Sequence, residues 1–284
     1  MPIFTAVAGE PPFKKERCTA AVAARQLLAA PTVRASPPVS SGHSTHAPGN
    51  EMVAPAPTAR VPIVMGHEVT AATLRTFPLF ADMPEQSLQS VARRSMLRRT
   101  GRNGYVVRAG ERTDFVYLIL SGTLNVLVSD AAGREVILSV LGPGELFGEM
   151  EALDDEAHSA SVMAVTPSVL VVLAKTQFKR CLRENFDVSR YVIRRLSQRL
   201  RLADRRIESL ALLDVTGRVV RLLQDMAETL DGRQVVASKI SKQDIAKMVG
   251  ASREMVSRVV KDLVLRGLVG ESGGRLVLLD LARP

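Results

Sequence analysis

Only two of the 284 residues are cysteine, Cys18 and Cys181. Two thiols cannot build a disulfide framework or supply the four ligands of an iron–sulfur cluster. Their scarcity points to a reducing, cytoplasmic setting. No uninterrupted run of about 18 apolar residues occurs, so no membrane span is expected. The N-terminus lacks an apolar core followed by a cleavage site, which argues against a secretory signal. Of the four histidines, only His67 and His158 lie beyond residue 66, which leaves a haem sensor short of axial ligands. No nucleophile–base pair, metal-ligand cluster or P-loop stands out, so enzymatic activity and a bound metal are not expected.

What is abundant is positive charge. Lys and Arg number 38 against 29 Asp and Glu, a formal net charge of +9. That surplus favours anionic partners, nucleic acid first and a membrane surface second. Proline is concentrated at one end: residues 1–66 hold ten of the fifteen, interleaved with Ala, Ser and Thr. Such a composition buries too little apolar surface to offset chain entropy, which predicts a disordered head with at most a short helix at Ala20–Ala30. Met65 or Met52 is a candidate for the true start, which N-terminal mass spectrometry decides.

Beyond the head the periodicity changes twice. Thr73 to about Arg99 reads as helix broken by Pro78 and Pro84, with Phe80 and Leu88 as core contacts. From Gly104 to Val172 the period is two: Val116, Leu118, Leu120; then Leu124, Val126, Val128; then Val136, Leu138, Val140, with turns at Ser121-Gly122 and Asp130–Gly133. Short strands with regular turns indicate a small antiparallel sandwich or barrel. Ile193, Leu196, Leu200, Ala203, Ile207 and Leu210 then recur at spacings of three and four, a heptad seam. Arg194, Arg195, Arg199, Arg201, Arg205 and Arg206 flank it. Such a seam pairs with a second copy of itself as a parallel homodimer through residues 193–210, packs on its own β domain, or does some of each.

The most informative stretch is Ile240–Lys261. It reads as two short helices broken at Gly250. Ser241 stands three residues before Asp244, a capping-box spacing, and Ser252 is a good N-cap. On the second helix Val256, Val259, Val260 and Leu263 share one side; Arg253, Glu254, Ser257, Arg258 and Lys261 share the other. Arginine can bond guanine O6 and N7 together, and a carboxylate can accept from cytosine N4. Arg253 and Arg258 are therefore candidate guanine readers and Glu254 a cytosine reader, with Lys242, Gln243, Ser252 and Lys261 on phosphate. Gly267 to Asp280 reads as a hairpin tipped by Ser272-Gly273-Gly274, a wing.

Two motifs in this order resemble the bacterial cyclic-AMP receptor protein family, the Crp/Fnr regulators. Pro143-Gly144-Glu145-Leu146-Phe147-Gly148-Glu149-Met150-Glu151, continuing to His158-Ser159-Ala160-Ser161-Val162, is similar to the phosphate-binding cassette of a cyclic-nucleotide-binding β-roll. Leu210–Arg218 and the helix-turn-helix supply the second. The resemblance covers roughly residues 70–280. It implies an α+β chain: a disordered head (1–66), a cyclic-nucleotide-binding-like β-roll or jelly roll (67–182), a long dimerisation helix (183–212) and a winged helix-turn-helix (213–284). It also implies a transcription regulator, activator or repressor, on a palindromic operator with TGTGA-like half-sites, with RNA polymerase as a partner. The other class open to the chain is a nucleotide-sensing scaffold whose helical tail docks a protein.

The cassette has its own physics. Gly148 allows close backbone approach, Glu149 can accept from a ribose 2′-hydroxyl, and backbone N–H groups at Ser159 and Ala160 can cradle a phosphate. Three positions depart from the family's cyclic-AMP binders. His158 stands where they carry arginine, and supplies no bidentate fork. Ala203 and Asp204 stand where they place Thr and Ser against adenine. Arg199 matches a family arginine able to pair with Glu149. The expectation is that cyclic AMP is not the effector, leaving another cyclic nucleotide or a cyclic dinucleotide, or a cassette closed by a Glu149–Arg199 latch.

Overall fold

The computed structural model describes residues 68–230, 233–236, 240–272 and 275–279. The head, the helix expected at Ala20–Ala30, both candidate start methionines and the hairpin tip at Gly273-Gly274 lie outside these. The chain opens with α1 (Ala71–Arg75), a single 3₁₀ turn at Pro78–Phe80 and α2 (Glu85–Ala92). Thr70 caps α1 by accepting from the Thr73 N–H, and the prolines end or start helical turns as their fixed φ requires. The helical pattern expected as far as Arg99 stops at Ala92. Ser95–Thr100 is instead strand β1, paired antiparallel with β8 (Ser168–Ala174). Its arginines conceal it in the sequence: Arg98 directs its guanidinium to the carbonyls of Val106 and Tyr105.

Two four-stranded antiparallel sheets form the β-roll. One has the order β1-β8-β3-β6; the other runs β2-β7-β4-β5. Here β2 is Tyr105–Val107, β3 Phe115–Ser121, β4 Leu124–Ser129, β5 Glu135–Leu141, β6 Leu146–Phe147 and β7 Ser161–Ala164. Strand β3 is buried on both faces. Val116, Leu118 and Leu120 point to a core shared with the helices, while Tyr117 and Ile119 point to the core between the sheets. Each such side chain contributes about 1.5–3 kcal/mol of burial. In β5 the expected alternation is present, but Ile137 and Leu141 are the inward residues and Val136, Leu138 and Val140 face out. In β4 the register shifts between Val126 and Leu127, so that Leu127 is buried as well, while Val126 packs half-buried against the core between the sheets.

The β3–β4 turn is sterically closed. Gly122 has φ +96°, and a Cβ there would lie 2.1 Å from the Ser168 hydroxyl and 2.7 Å from the Ser168 Cα. Gly122→Ala is therefore expected to destabilise by about 1–3 kcal/mol from backbone strain alone, with the clash added. Urea unfolding measures this, and a wild-type midpoint would contradict it.

Helix α3 (Glu149–Asp154) sits in the cassette. Helix α4 (Lys175–Glu184) follows β8, and the 27-residue α5 (Phe186–Leu212) leaves the roll. Along α5 the apolar positions divide. Val188 and Val192 are buried on the β-roll core, with Tyr191 and Leu196 packed against it. Ile193, Leu200, Ile207 and Leu210 are 64, 64, 65 and 61 % exposed. The seam thus packs partly on its own domain and leaves a second apolar edge free within the chain.

The C-terminal unit contains α6 (Val215–Asp225), the hairpin β9 (Ala227–Leu230) and β10 (Arg233–Val236), α7 (Lys242–Val249), α8 (Arg253–Leu265), and the wing strands β11 (Val269–Ser272) and β12 (Arg275–Leu278). The strands form one sheet, β11-β12-β10-β9, on a core of Val219, Leu223, Val236, Ile245, Val249, Val256, Val260 and Leu263. Helix α7 packs against β5, where Lys247 meets Glu135 at 2.5 Å.

Candidate functional site

Helices α7 and α8 are built by the local chemistry their sequence announces. Ser241 accepts from the Asp244 N–H at 3.0 Å and donates to the Asp244 carboxylate at 2.6 Å. Gly250 ends α7 in the left-handed region, and Ser252 opens α8 by accepting from the Met255 N–H at 3.2 Å. Between them, Arg218 of α6 donates to the Val249 carbonyl at 3.0 Å and to the Leu213 carbonyl at 3.1 Å. That one guanidinium fixes the interhelical turn to the hinge after α5. Arg218 was visible in the sequence only as part of a motif, because its partners are carbonyls distant along the chain.

With Val256, Val259, Val260 and Leu263 buried, Arg253, Glu254, Arg258 and Lys261 are all exposed, and Ser257 is half-buried beside them. Ser252, Lys242 and Gln243 are exposed at the two helix starts. Among the described residues no ion pair engages Arg253, Glu254, Arg258 or Lys261, so the edge faces solvent with its charge uncommitted.

The cassette is positioned from β3. Tyr117 stacks on Phe147, with ring centroids 4.9 Å apart, and the Ile119 N–H donates to the Glu145 carbonyl. Gly148 has φ +81°, and a Cβ there would meet the Phe115 carbonyl oxygen at 3.0 Å and Tyr117 at 3.4 Å. The close approach this glycine permits is therefore to β3, where the sequence suggested a ligand. Helix α5 grips the cassette with two arginines one turn apart: Arg195 pairs with Glu145 and Arg199 with Glu149. Arg199 also donates to the Leu146 carbonyl at 3.2 Å. The Glu149–Arg199 pair was anticipated. The Arg195–Glu145 pair was missed, although both pairs share a spacing of four.

Glu149 is 3 % exposed, and its Oε2 has no hydrogen-bond partner. Burial, the larger effect, lifts its pKa above the ordinary 4.5, while the charge of Arg199 pulls it down. A raised folded pKa means stability that is complete below the unfolded value and lost as pH rises through the folded one. Glu149→Gln is therefore expected to gain stability relative to wild type as pH increases from about 4.5. Urea unfolding across pH reads this directly, and a relative loss over that range would contradict it.

His158 is 3 % exposed and turned inward. Its Nδ1 donates to Glu151 Oε1 at 3.0 Å, and its Nε2 meets the Thr113 hydroxyl at 2.9 Å. Its backbone exchanges hydrogen bonds with Glu111 and Gly110. The imidazole that the sequence offered to a phosphate is thus committed to the protein. Ser159 is exposed and Ala160 buried; Ala203 and Asp204 are exposed on α5, and no hydrogen bond or ion pair brings Asp204 to the cassette among the described residues. The residues fit a cyclic nucleotide at one end only. The unpartnered Glu149 oxygen suits a ribose hydroxyl, but no cationic fork awaits a phosphate.

Comparison with known proteins agrees with both units. Residues 97–185 match the model of the cyclic nucleotide-binding domain, and residues 217–283 match the Crp-like helix-turn-helix domain. The cAMP-activated global transcriptional regulator CRP of Pasteurella multocida is 33 % identical over 180 residues, 61 % of this chain and 85 % of that protein. The cAMP-activated global transcriptional regulator Vfr of Pseudomonas aeruginosa is 33 % identical over 191 residues, 64 % of this chain and 88 % of that one. Among solved structures, the c-di-GMP-responsive global regulator CLP of Xanthomonas campestris superposes with a TM-score of 0.58 at 27 % identity, covering 69 % of this chain and 99 % of that one. The chain belongs to the Crp/Fnr family of DNA-binding transcription regulators. These relatives are regulators rather than enzymes. No helix among the described residues is long and apolar enough to cross a membrane, and no cluster of three metal-ligating side chains occurs there.

Proposed function

We propose that this chain is a cytoplasmic regulator that binds palindromic duplex DNA as a homodimer, its subunits joined through residues 193–210. The division of labour is sensing by residues 67–182, dimerisation by 183–212 and DNA binding by 213–284. The observation that carries the reading is the uncommitted Arg253–Glu254–Arg258 edge on a helix whose opposite face is buried. Two such helices enter successive major grooves about 34 Å apart and demand a two-fold symmetric operator. Half-sites similar to TGTGA, with Arg253 and Arg258 on guanine and Glu254 on cytosine, follow from the family pattern. Lys242, Gln243, Ser252 and Lys261 hold phosphate, and RNA polymerase is the downstream partner.

The effector is a nucleotide other than cyclic AMP, such as a cyclic dinucleotide. His158 supports this by offering its ring to Glu151 and Thr113 rather than to a ligand. Because Arg195 and Arg199 tie α5 to the cassette, a ligand that competes for Glu149 redistributes the chain between two orientations of α5. It acts to the extent that it binds one orientation better. A footprint on a fragment carrying one symmetric TGTGA-type site tests the core of the proposal. Protection centred on the palindrome is expected, and uniform protection of the whole fragment would refute it.

A further inference from the structure

The cassette carries a carboxylate that its ligand chemistry does not call for. Glu151 lies in α3, two residues after Glu149, with its side chain mostly buried. It accepts from His158 Nδ1 at 3.0 Å. Burial works to raise its pKa but is outweighed by the His158 hydrogen bond, its own backbone N–H, the charge of His158 and the backbone N–H of Ser159, so the carboxyl stays below the ordinary range. The His158 ring, which stands where the family's cyclic-AMP binders carry their phosphate-binding arginine, is therefore already committed to this carboxylate.

We propose that Glu151 is the specificity determinant of the effector seat: its carboxylate stands as a built-in anion where a cyclic phosphate would bind, and it excludes 3′,5′-cyclic mononucleotides. This rests on reading the cassette as the effector seat. A phosphate entering there meets a negative charge and finds the His158 ring already engaged. The Glu149 end keeps an unpartnered acceptor, so the ligands that remain admissible present a hydroxyl or N–H donor to Glu149 and place their anionic group elsewhere. The sequence holds no warning of this, since Glu151 reaches His158 only once α3 has folded.

Calorimetry of the full chain with 3′,5′-cyclic AMP tests the assignment on wild type, Glu151→Ala and Glu151→Gln. Alanine removes the carboxylate at no cost in helix propensity. It is expected to bind cyclic AMP at least about tenfold more tightly than wild type, equivalent to about 1.4 kcal/mol. Glutamine keeps a side-chain oxygen for His158 and removes only the charge; a smaller gain is expected. Wild type binding as tightly as the alanine variant overturns the assignment, as does a folded alanine variant with no gain. Should the alanine variant fail to unfold cooperatively, the glutamine variant decides, gain supporting and no gain overturning. Operator binding by the same preparations is scored separately: wild type that ignores a palindrome defeats the DNA-binding proposal and leaves the calorimetric result standing.

Discussion

Arg258→Ala is expected to weaken operator binding by about 1–3 kcal/mol per subunit and to abolish discrimination at one base pair of each half-site. The reason lies in how α8 is held. Val259 and Val260, which directly follow Arg258 in the helix, are buried, Ser252 fixes the first turn, and Arg218 fastens the preceding turn to the hinge. The guanidinium is thus presented from a rigid support, and what it loses on truncation is a bidentate contact rather than fold. Lys261→Ala, by contrast, removes only the phosphate contact proposed for that side chain. It is expected to weaken all sequences alike and to lower the slope of log affinity against log salt by about one. Base-scanned operators titrated against both variants separate the roles. An Arg258→Ala profile parallel to wild type at every position would contradict base reading.

Leu200→Glu is expected to dissociate the dimer while leaving the subunit folded. Leu200 is 64 % exposed within the chain, as Ile193, Ile207 and Leu210 nearly equally are, so a charge there costs the isolated subunit about 0.5 kcal/mol at most. In the proposed parallel dimer the same position would sit in the apolar seam between two α5 helices, where paired carboxylates repel without water to screen them. Losing the linkage turns the second half-site into a separate bimolecular event. Operator affinity is then expected to fall by roughly 10²–10⁴-fold, the loss of an effective concentration near the millimolar range. Sedimentation gives the mass and anisotropy gives the affinity. A variant that remains dimeric would place the subunit contact elsewhere.

What could be read from the sequence was local. The caps at Ser241 and Ser252, the break at Gly250 and the buried valines of α8 are set by neighbours within four residues, and each is where the pattern places it. Strand β1 was hidden because Arg98 and Arg99 interrupt any alternation, and it is a strand only because β8 lies beside it. The β9–β10 hairpin was missed for a similar reason: Glu228 and Thr229 carry no apolar period, and their pairing partners supply the order. In β5 the alternation was legible but not which set faced inward, since Ile137 and Val136 are equally apolar.

The site divides in the same way. The edge proposed to face DNA lies on one helix, and its period identifies it. The cassette is assembled from segments up to 53 residues apart, such as Arg199 with Leu146. The resemblance to the family pointed to Arg199 with Glu149, a pair the structure contains. It could not supply Glu151 with His158, because there the chain departs from the family's pattern and the partner is chosen by where α3 aims its side chain.

The most direct test of two α8 helices held in fixed two-fold register is the spacing of the half-sites. Inserting five base pairs at the centre of the palindrome rotates one half by about half a helical turn, given 10–10.5 base pairs per turn. The account predicts that this reduces affinity to that of a single half-site. Undiminished binding to the respaced operator would contradict it.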